Sequence, residues 1–348
     1  MNPHPTTFQL TRVASSHQHD GLGKRRPGEE PSIGVVICAY TEARWPELVE
    51  AVRSIVRQSR PARELVVVID HNDLLLARAR AAFPGARVIP SNGRPGLSGA
   101  RNTGVSHISS SIVAFLDDDA CADRDWLAAL AGVFEDEAVI GAGGWIAPRW
   151  EGIEPRWLAP ELYWIVGCSY EGLPPQGAPL RNAIGANMAF RRAALVEVGG
   201  FREGIGRVLD RPLGDEETEL GIKARARWPE ARIVHVPAAH VEHSVPAQRT
   251  TWRYLFSRCW SEGRSKALLT AAVGSSAALA SERTYVARVL PAGVARGVRD
   301  CLRGELAGLE RAASIASALA ATAAGYLCGR LAQLPRRPPE RRAHELDV

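Results

Sequence analysis

No Cys-x-x-Cys pair occurs anywhere in the sequence; the six cysteines, Cys38, Cys121, Cys168, Cys259, Cys301 and Cys328, stand singly. That spacing excludes a local zinc site and a dense disulfide framework, and reduced thiols in a cytosolic protein are expected. The chain opens without a charged start followed by an apolar run, so no secretory signal is expected either. A Gly-x-x-x-x-Gly-Lys-Ser/Thr loop is missing, which removes the P-loop NTPases. Positive charge is modest: the formal net charge is +5, and much of the arginine excess sits toward the ends, at Arg25, Arg26, Arg336, Arg337, Arg341 and Arg342. A nucleic-acid binder would concentrate basic and aromatic residues on one face, so no nucleic-acid partner is expected. A basic tail of this kind fits an anionic membrane surface. What remains is an ordinary balance, 348 residues that are 46% hydrophobic and 23% charged, with room for a sizeable core.

Residues 1 to 30 are rich in His, Pro, Ser, Gly and charge, and a disordered arm is expected there. From Ser32 the pattern changes. IGVVICAY reads as a strand, and Leu48, Val52, Ile55 and Val56 after Pro46 have helical spacing. ELVVVID, ARVI and IVAFLD are further strand candidates, separated by helical stretches near 74–83 and 99–108. Apolar strands without alternation, divided by helices, describe an α/β, Rossmann-like layer structure with a mostly parallel sheet covered on both faces.

The polar residues of this half gather at strand ends, where ligands bind in such sheets. The first strand ends in Ala39, Tyr40, Thr41 and Glu42, the second in Asp70, His71, Asn72 and Asp73, and the fourth in Asp117, Asp118 and Asp119. Three adjacent carboxylates repel one another, and alternation lets Asp117 and Asp119 share one site while Asp118 points away. The triplet reads either as an Asp-x-Asp clamp for a divalent metal or as a solvated acidic turn. The loop SNGRPGLSGARNTG offers backbone N–H groups, a helix N-terminus and Arg101, which would attract a phosphate. In LGDEETELGIKAR, Asp215, Glu216, Glu217 and Glu219 load the start of a helix, either as macrodipole compensation or as a site of acid–base chemistry. The segment around Trp145, Trp150, Trp157, Trp164 and Tyr170 is expected to fill core, with Trp164 the candidate wall of an acceptor pocket. Ala312–Gly329 is uncharged, Ala-rich and flanked by Arg311 and Arg330, a poor spanning helix that reads as peripheral to a membrane or as ordinary surface packing.

Taken together, VVICAYTE, VVVIDHND, GLSGARNTG, AFLDDD and GDEETELGIKAR resemble, in order and spacing, the motifs of the family-2 glycosyltransferases, inverting enzymes of the GT-A fold. GANMAFRR and EHSVP are similar to that family's acceptor-side segment and late histidine. The resemblance covers residues 32 to 265. It implies a nucleotide-sugar-binding half at 31–125 and an acceptor and catalytic half of the same domain at 126–265; beyond it, composition reads 266–348 as a helical C-terminal extension with a basic tail. It further implies that Asp70 binds the nucleotide base, that Asp117 and Asp118 stand on its ribose side, and that Ala39, Tyr40, Glu42 and Arg101 complete the donor site. Asp119, Asp117 and His243 would hold Mn2+ or Mg2+ on the diphosphate, and Asn187 and Trp164 would face the acceptor. Glu217 falls where the motif's base stands. The usual Glu-Asp is here Glu-Glu preceded by Asp215, which leaves Glu216 and Asp215 as rival bases.

The activity implied is transfer of a hexose from a nucleotide-diphosphate sugar, expected to be UDP-linked, to a hydroxyl of a small molecule or of a lipid-linked or cell-envelope glycan. A cytoplasmic place is expected, either free or associated with the inner face of the cell membrane. Departure of a nucleoside diphosphate calls for a hard divalent ion, and a single inverting displacement calls for a base and no covalent nucleophile. Two other readings fit parts of the pattern. A sugar-phosphate nucleotidyltransferase would carry a Gly-rich loop where this chain has CAYTE, and a non-catalytic sugar-nucleotide-binding protein need not keep both acidic motifs.

Overall fold

Strand β1 (Ile33–Ala39) is apolar throughout because both of its faces are covered. Ile33, Val35 and Ile37 enter one core and Val36 the other, the period of two of an extended chain. The computed structural model describes residues 30–181, 183–203, 216–273 and 283–333. The expected N-terminal arm and the basic tail lie outside these residues, as does Asp215.

Helix α1 (Trp45–Val56) has Pro46 in its first turn, where a missing N–H costs nothing, and lays Leu48, Ala51, Val52 and Ile55 on the sheet. Strand β2 (Glu64–Ile69) leads to α2 (Asp73–Ala82), whose Asn72 cap accepts a hydrogen bond from the Leu75 N–H at 2.9 Å. Then come β3 (Arg87–Pro90), α3 (Leu97–Ser106) and β4 (Ile112–Asp117). These four strands pair in parallel.

The first half has the expected parallel strands, and the second half adds antiparallel ones. The second half comprises β5 (Ala120–Ala122), α4 (Trp126–Val133), β6 (Val139–Trp150), a 3-10 helix (Pro160–Val166), β7 (Asn187–Arg191), α5 (Arg192–Glu197), α6 (Glu216–Arg227) and β8 (Arg232–Val245). Among the described residues the strands form one sheet in the order β3-β2-β1-β4-β7-β6-β8-β5. Strand β7 runs antiparallel to both β4 and β6, and β5 runs antiparallel to β8, so the sheet is mixed. Since β7 is buried on both faces, the MAF run between Asn187 and Arg191 is apolar without alternation, and direction is not readable from it. Helices α1, α2 and α4 cover one face, and α3, α5 and α6 the other.

The C-terminal part is α7 (Trp252–Val273), a π-helical turn (Tyr285–Val289), α8 (Leu290–Leu302) and α9 (Ala307–Ala332). Helices α7 and α9 cross with their backbones in contact: a Cβ at Gly263 would stand 2.1 Å from the Thr322 carbonyl oxygen, and one at Gly325 2.2 Å from that of Trp260. Aromatic pairs fasten this part to the domain. Trp157 stacks on Trp252 with ring centroids 4.5 Å apart, and Tyr170 meets Tyr285 edge-on. Helix α9 is long and apolar enough, by length and composition, to cross a membrane.

Candidate active site

The alternation that builds the core also sorts the acid triplet. In β4, Val113 and Phe115 face α3, whereas Ile112, Ala114 and Leu116 face α1. Continuing that period, Asp117 reaches Arg101 of α3 at 3.4 Å, and Asp118 reaches Arg44, at the start of α1, at 2.9 Å. The strand then breaks. The Asp119 carbonyl accepts the Ser244 N–H at 2.8 Å and Ala120 pairs with His243, which sets the Asp119 carboxylate 3.1 Å from His243 Nε2. Arg44 also touches Asp119, at 3.0 Å. Asp117, Asp119 and His243 each offer a ligand atom, and these atoms all lie within 4.8 Å of one another.

Arg101 joins this cluster to α6. Its guanidinium, nearly inaccessible to solvent, contacts Glu217 Oε1 at 2.9 Å and Glu216 Oε1 at 3.4 Å besides Asp117. Burial alone would weaken the Arg101 proton affinity, but the charges of Glu217, Asp117 and Glu216 raise it above the ordinary arginine value. Gly185 makes room for the junction: a Cβ there would stand 2.0 Å from Glu217 Oε1 and 2.3 Å from Arg101 Nη2. Of the two acids, Glu217 is the more open, with 15% of its side chain exposed against 4% for Glu216.

The triplet's two buried acids are held in opposite states. Burial and the neighbouring Asp119 charge push Asp118 up to about 7 against the pull of Arg44. Burial works the same way on Asp119, yet His243 and Arg44 hold it well below the ordinary carboxylate range. Asp118 Oδ2 is buried without a hydrogen-bond partner among the described residues.

At the second strand end, Asp70 Oδ2 accepts the Gly96 N–H at 2.8 Å, fixing the loop that opens α3, and Oδ1 lies 2.7 Å from His71 Nδ1. His71 is held at a φ of 51°, a left-handed conformation that costs a non-glycine residue energy. The Tyr40 ring lies 5.7 Å from the Arg44 guanidinium, and its carbonyl takes a hydrogen bond from Asn72.

Some expected site residues stand elsewhere. Ala39 is buried in the core and its carbonyl accepts the Asp70 N–H, so it ties β1 to β2. Glu42 is exposed on a 3-10 turn ahead of α1. Asn187 is a structural bracket: Oδ1 accepts from Trp126 Nε1 at 2.8 Å, and Nδ2 donates to the carbonyls of Trp145 and Ala239. With its amide committed on both sides and fully buried, it offers nothing to an acceptor. Trp164 donates to the Tyr285 hydroxyl at 3.1 Å and lies under Arg258, in the joint between the 3-10 helix and the C-terminal helices. Conversely, Arg44, Gly185 and Cys168, whose Sγ is 3.9 Å from His243 Nδ1, belong to the site without having been anticipated. Only Arg44 carried a sequence signal, a lone base in the polar end of the first strand.

Carboxylate oxygens of Asp117 and Asp119 with one imidazole nitrogen of His243 are a donor set that suits Mn2+ or Mg2+. The residues fit a divalent ion. A family model described as Glycosyl transferase family 2 matches residues 34–199. Glucosyl-dolichyl phosphate glucuronosyltransferase of Haloferax volcanii is 30% identical over 241 residues, 68% of this chain and 77% of that protein. Succinoglycan biosynthesis protein ExoM of Rhizobium meliloti is 26% identical over 262 residues, 70% of this chain and 77% of that protein. In fold, the chain is similar to a mannosyltransferase from Pyrobaculum calidifontis solved with GDP-Man and Mn2+, with a TM-score of 0.55 and 19% identity, covering 86% of this chain and 88% of that one. Motif order, sheet and relatives agree: the chain belongs to glycosyl transferase family 2 and is a glycosyltransferase of the GT-A fold.

Proposed function

We propose that the chain is an inverting enzyme that transfers a hexose from a UDP-linked sugar to a hydroxyl of a lipid-linked glycan, at the cytoplasmic face of the cell membrane. The observation that carries this reading is the Arg101 junction, in which one guanidinium touches both the metal-clamp acid Asp117 and the helix acid Glu217. Donor site and base are thereby held at a fixed spacing, as a single displacement requires. Mn2+ or Mg2+ held by Asp117, Asp119 and His243 would supply positive charge against the leaving diphosphate. The rest is the work of the chain. Glu217, the more open acid, takes the acceptor hydroxyl proton as the acceptor oxygen bonds to the anomeric carbon and the bond to the diphosphate breaks. Glu216, nearly inaccessible to solvent, is the weaker candidate for that task. Asp70, held by the loop that opens α3, stands ready for the nucleotide base.

Two observations support a lipid-linked acceptor. One relative is named for a glucosyl-dolichyl phosphate substrate. In addition, α9 exposes Leu309, Leu319, Leu327 and Leu331, and α7 exposes Phe256, Trp260 and Leu268, an apolar surface of the sort that rests on lipid. The test is a thermal-shift panel of UDP-, GDP- and dTDP-sugars with and without Mn2+, since a ligand that binds the native state raises its melting temperature. A UDP-sugar should give the largest shift and require the ion. In Glu217→Gln the shift should persist while transfer falls about 10²–10⁴-fold. Absence of a shift with every donor would overturn the reading.

A further inference from the structure

A second charged surface lies along α1, beside the acid triplet. A groove of about 670 Å³ is lined by Arg53 and Arg57 of α1, Arg124 from the turn after β5, and Arg149 of β6, with Glu50 and Cys121 beside them. Arg44, at the start of α1, touches the triplet; Arg53 follows nine residues later, about 13 Å along the axis at 1.5 Å per residue. The groove adjoins the cluster through Cys121 and the Arg149–Ser244 bond, but Arg53, Arg57 and Arg124 take no part in the cluster's ion pairs.

Its charges are not balanced from within. Arg149 donates to Glu50 at 2.8 Å and to the Ser244 hydroxyl at 2.7 Å. The side chains of Arg53, Arg57 and Arg124 have no hydrogen-bond, ion-pair or ring partner among the described residues. Of the nearby acids, Glu50 is taken by Arg149, and Glu242 lies across from Cys121 on β8. Asp123 faces His240, and Asp125 accepts from the Ser59 hydroxyl at 2.5 Å. The macrodipole accounts for two cations near the end of α1. It does not account for Arg124 and Arg149, which arrive from separate elements, nor for placing Arg53 and Arg57 one turn apart, where like charges repel.

The Arg124 backbone is held in place. Buried Gln58, just past α1, donates to the Asp123 carbonyl at 2.7 Å and accepts the Leu127 N–H at 2.9 Å, and the Ser59 N–H donates to the Arg124 carbonyl. The turn bearing Arg124 is thus tethered to the helix end bearing Arg57. Forked guanidinium donors match phosphate oxygens and recognise them in pairs.

We propose that this groove binds a phosphate-bearing anion, through Arg53, Arg57 and Arg124. The chemistry is shared by two sources, the headgroup of an anionic phospholipid and a free polyphosphate, and the experiment separates them. The full chain is compared with Arg53→Gln/Arg57→Gln/Arg124→Gln, with the single Arg124→Gln, and with a control, Arg299→Gln/Arg303→Gln, which removes two exposed arginines of α8. Inorganic pyrophosphate is titrated calorimetrically in EDTA, and flotation is measured with phosphatidylglycerol and with phosphatidylcholine vesicles. Matching melting temperatures show that the variants fold, and an unchanged donor shift with Mn2+ keeps the outcome independent of the proposed transferase reaction. A loss of tenfold or more in pyrophosphate affinity, in the triple variant but not the control, supports the site with a soluble ligand. A loss confined to phosphatidylglycerol vesicles supports it with a lipid headgroup. If the triple variant loses neither, or the control loses as much, the arginines are diffuse surface charge and the proposal is wrong.

Discussion

The cleft at the end of β4 and the middle of α7 both gather buried charge, and they differ in how it is paired. In α7, Glu262 stands one turn from Arg258 and one turn from Lys266 and pairs with them at 2.8 and 3.1 Å, so helical spacing alone satisfies it. In the cleft, the carboxylates of Asp117, Asp118, Asp119, Glu216 and Glu217 share two guanidinium groups, Arg44 and Arg101, with His243 beside them. An unbalanced buried charge costs folding free energy. Asp117, Asp119 and His243 bring ligand atoms within 4.8 Å of one another across separate elements, an arrangement that suits a divalent cation, whereas Glu262 is paired within its own helix.

The largest effect that sharpens this contrast is on function. Asp119→Asn should weaken Mn2+ binding by 100-fold or more in calorimetry and reduce transfer about 10³-fold, because it removes a ligand and the partner of His243 together. Mn2+ bound as tightly as by the wild type would break the assignment of the clamp. Next in size is Arg101→Gln. Breaking a buried ion pair by removing one partner costs about 3–5 kcal/mol, and here three acids lose a shared partner. Urea unfolding reads that loss directly, and a change below about 1 kcal/mol would mean that water already compensates these acids.

Much of the fold and part of the cleft could be read in advance, for a physical reason that also marks the boundary. Period-two and period-3.6 patterns are local, so β1 to β4, their helices and the acid triplet stood out. Contacts across the chain leave no such trace. The Arg101–Glu217 pair spans 116 residues, and nothing near Gly185 announces that a methyl group there would collide with it. Asn187 misled for the same reason. A polar residue before MAFRR resembles an acceptor contact until Trp126, 61 residues away, is seen to hold its amide. Strand direction is silent in the second half for the same reason, since burial on both faces gives β7 one composition in either orientation, while the parallel strands read in the first half are there.

The α7 triad supplies a smaller effect with a defined pH dependence. Burial would raise Glu262, but Lys266 and Arg258 overcome it and hold it at about 2. A depressed carboxylate stabilises the fold above its unfolded value, and that stability is lost as the pH falls toward the folded one. Glu262→Gln should therefore cost on the order of 2–3 kcal/mol at pH 7, and roughly 1 kcal/mol of that difference should be gone by pH 3.5. A difference that stays constant over this range would mean that packing, not charge, is what Glu262 contributes.

Asp118 should behave in the opposite sense, and it is the finest test of the contrast. Its carboxyl is raised to about 7, so the folded state holds a proton that the unfolded chain has released, and stability falls as the pH rises from about 4 through 7. Asp118→Asn fixes the neutral form and should equal the wild type below about pH 4, then exceed it by about 3–4 kcal/mol at pH 8, measured by urea unfolding in EDTA. Neutralising one acid would then stabilise the cleft at the same pH at which neutralising Glu262 destabilises α7. Added Mn2+ should shrink the gain, because an ion bound by the native state stabilises the wild type independently of Asp118 protonation. If Asp118→Asn is instead less stable than the wild type at pH 8, the Arg44 contact outweighs the repulsion, and the cleft is balanced in the way the α7 triad is.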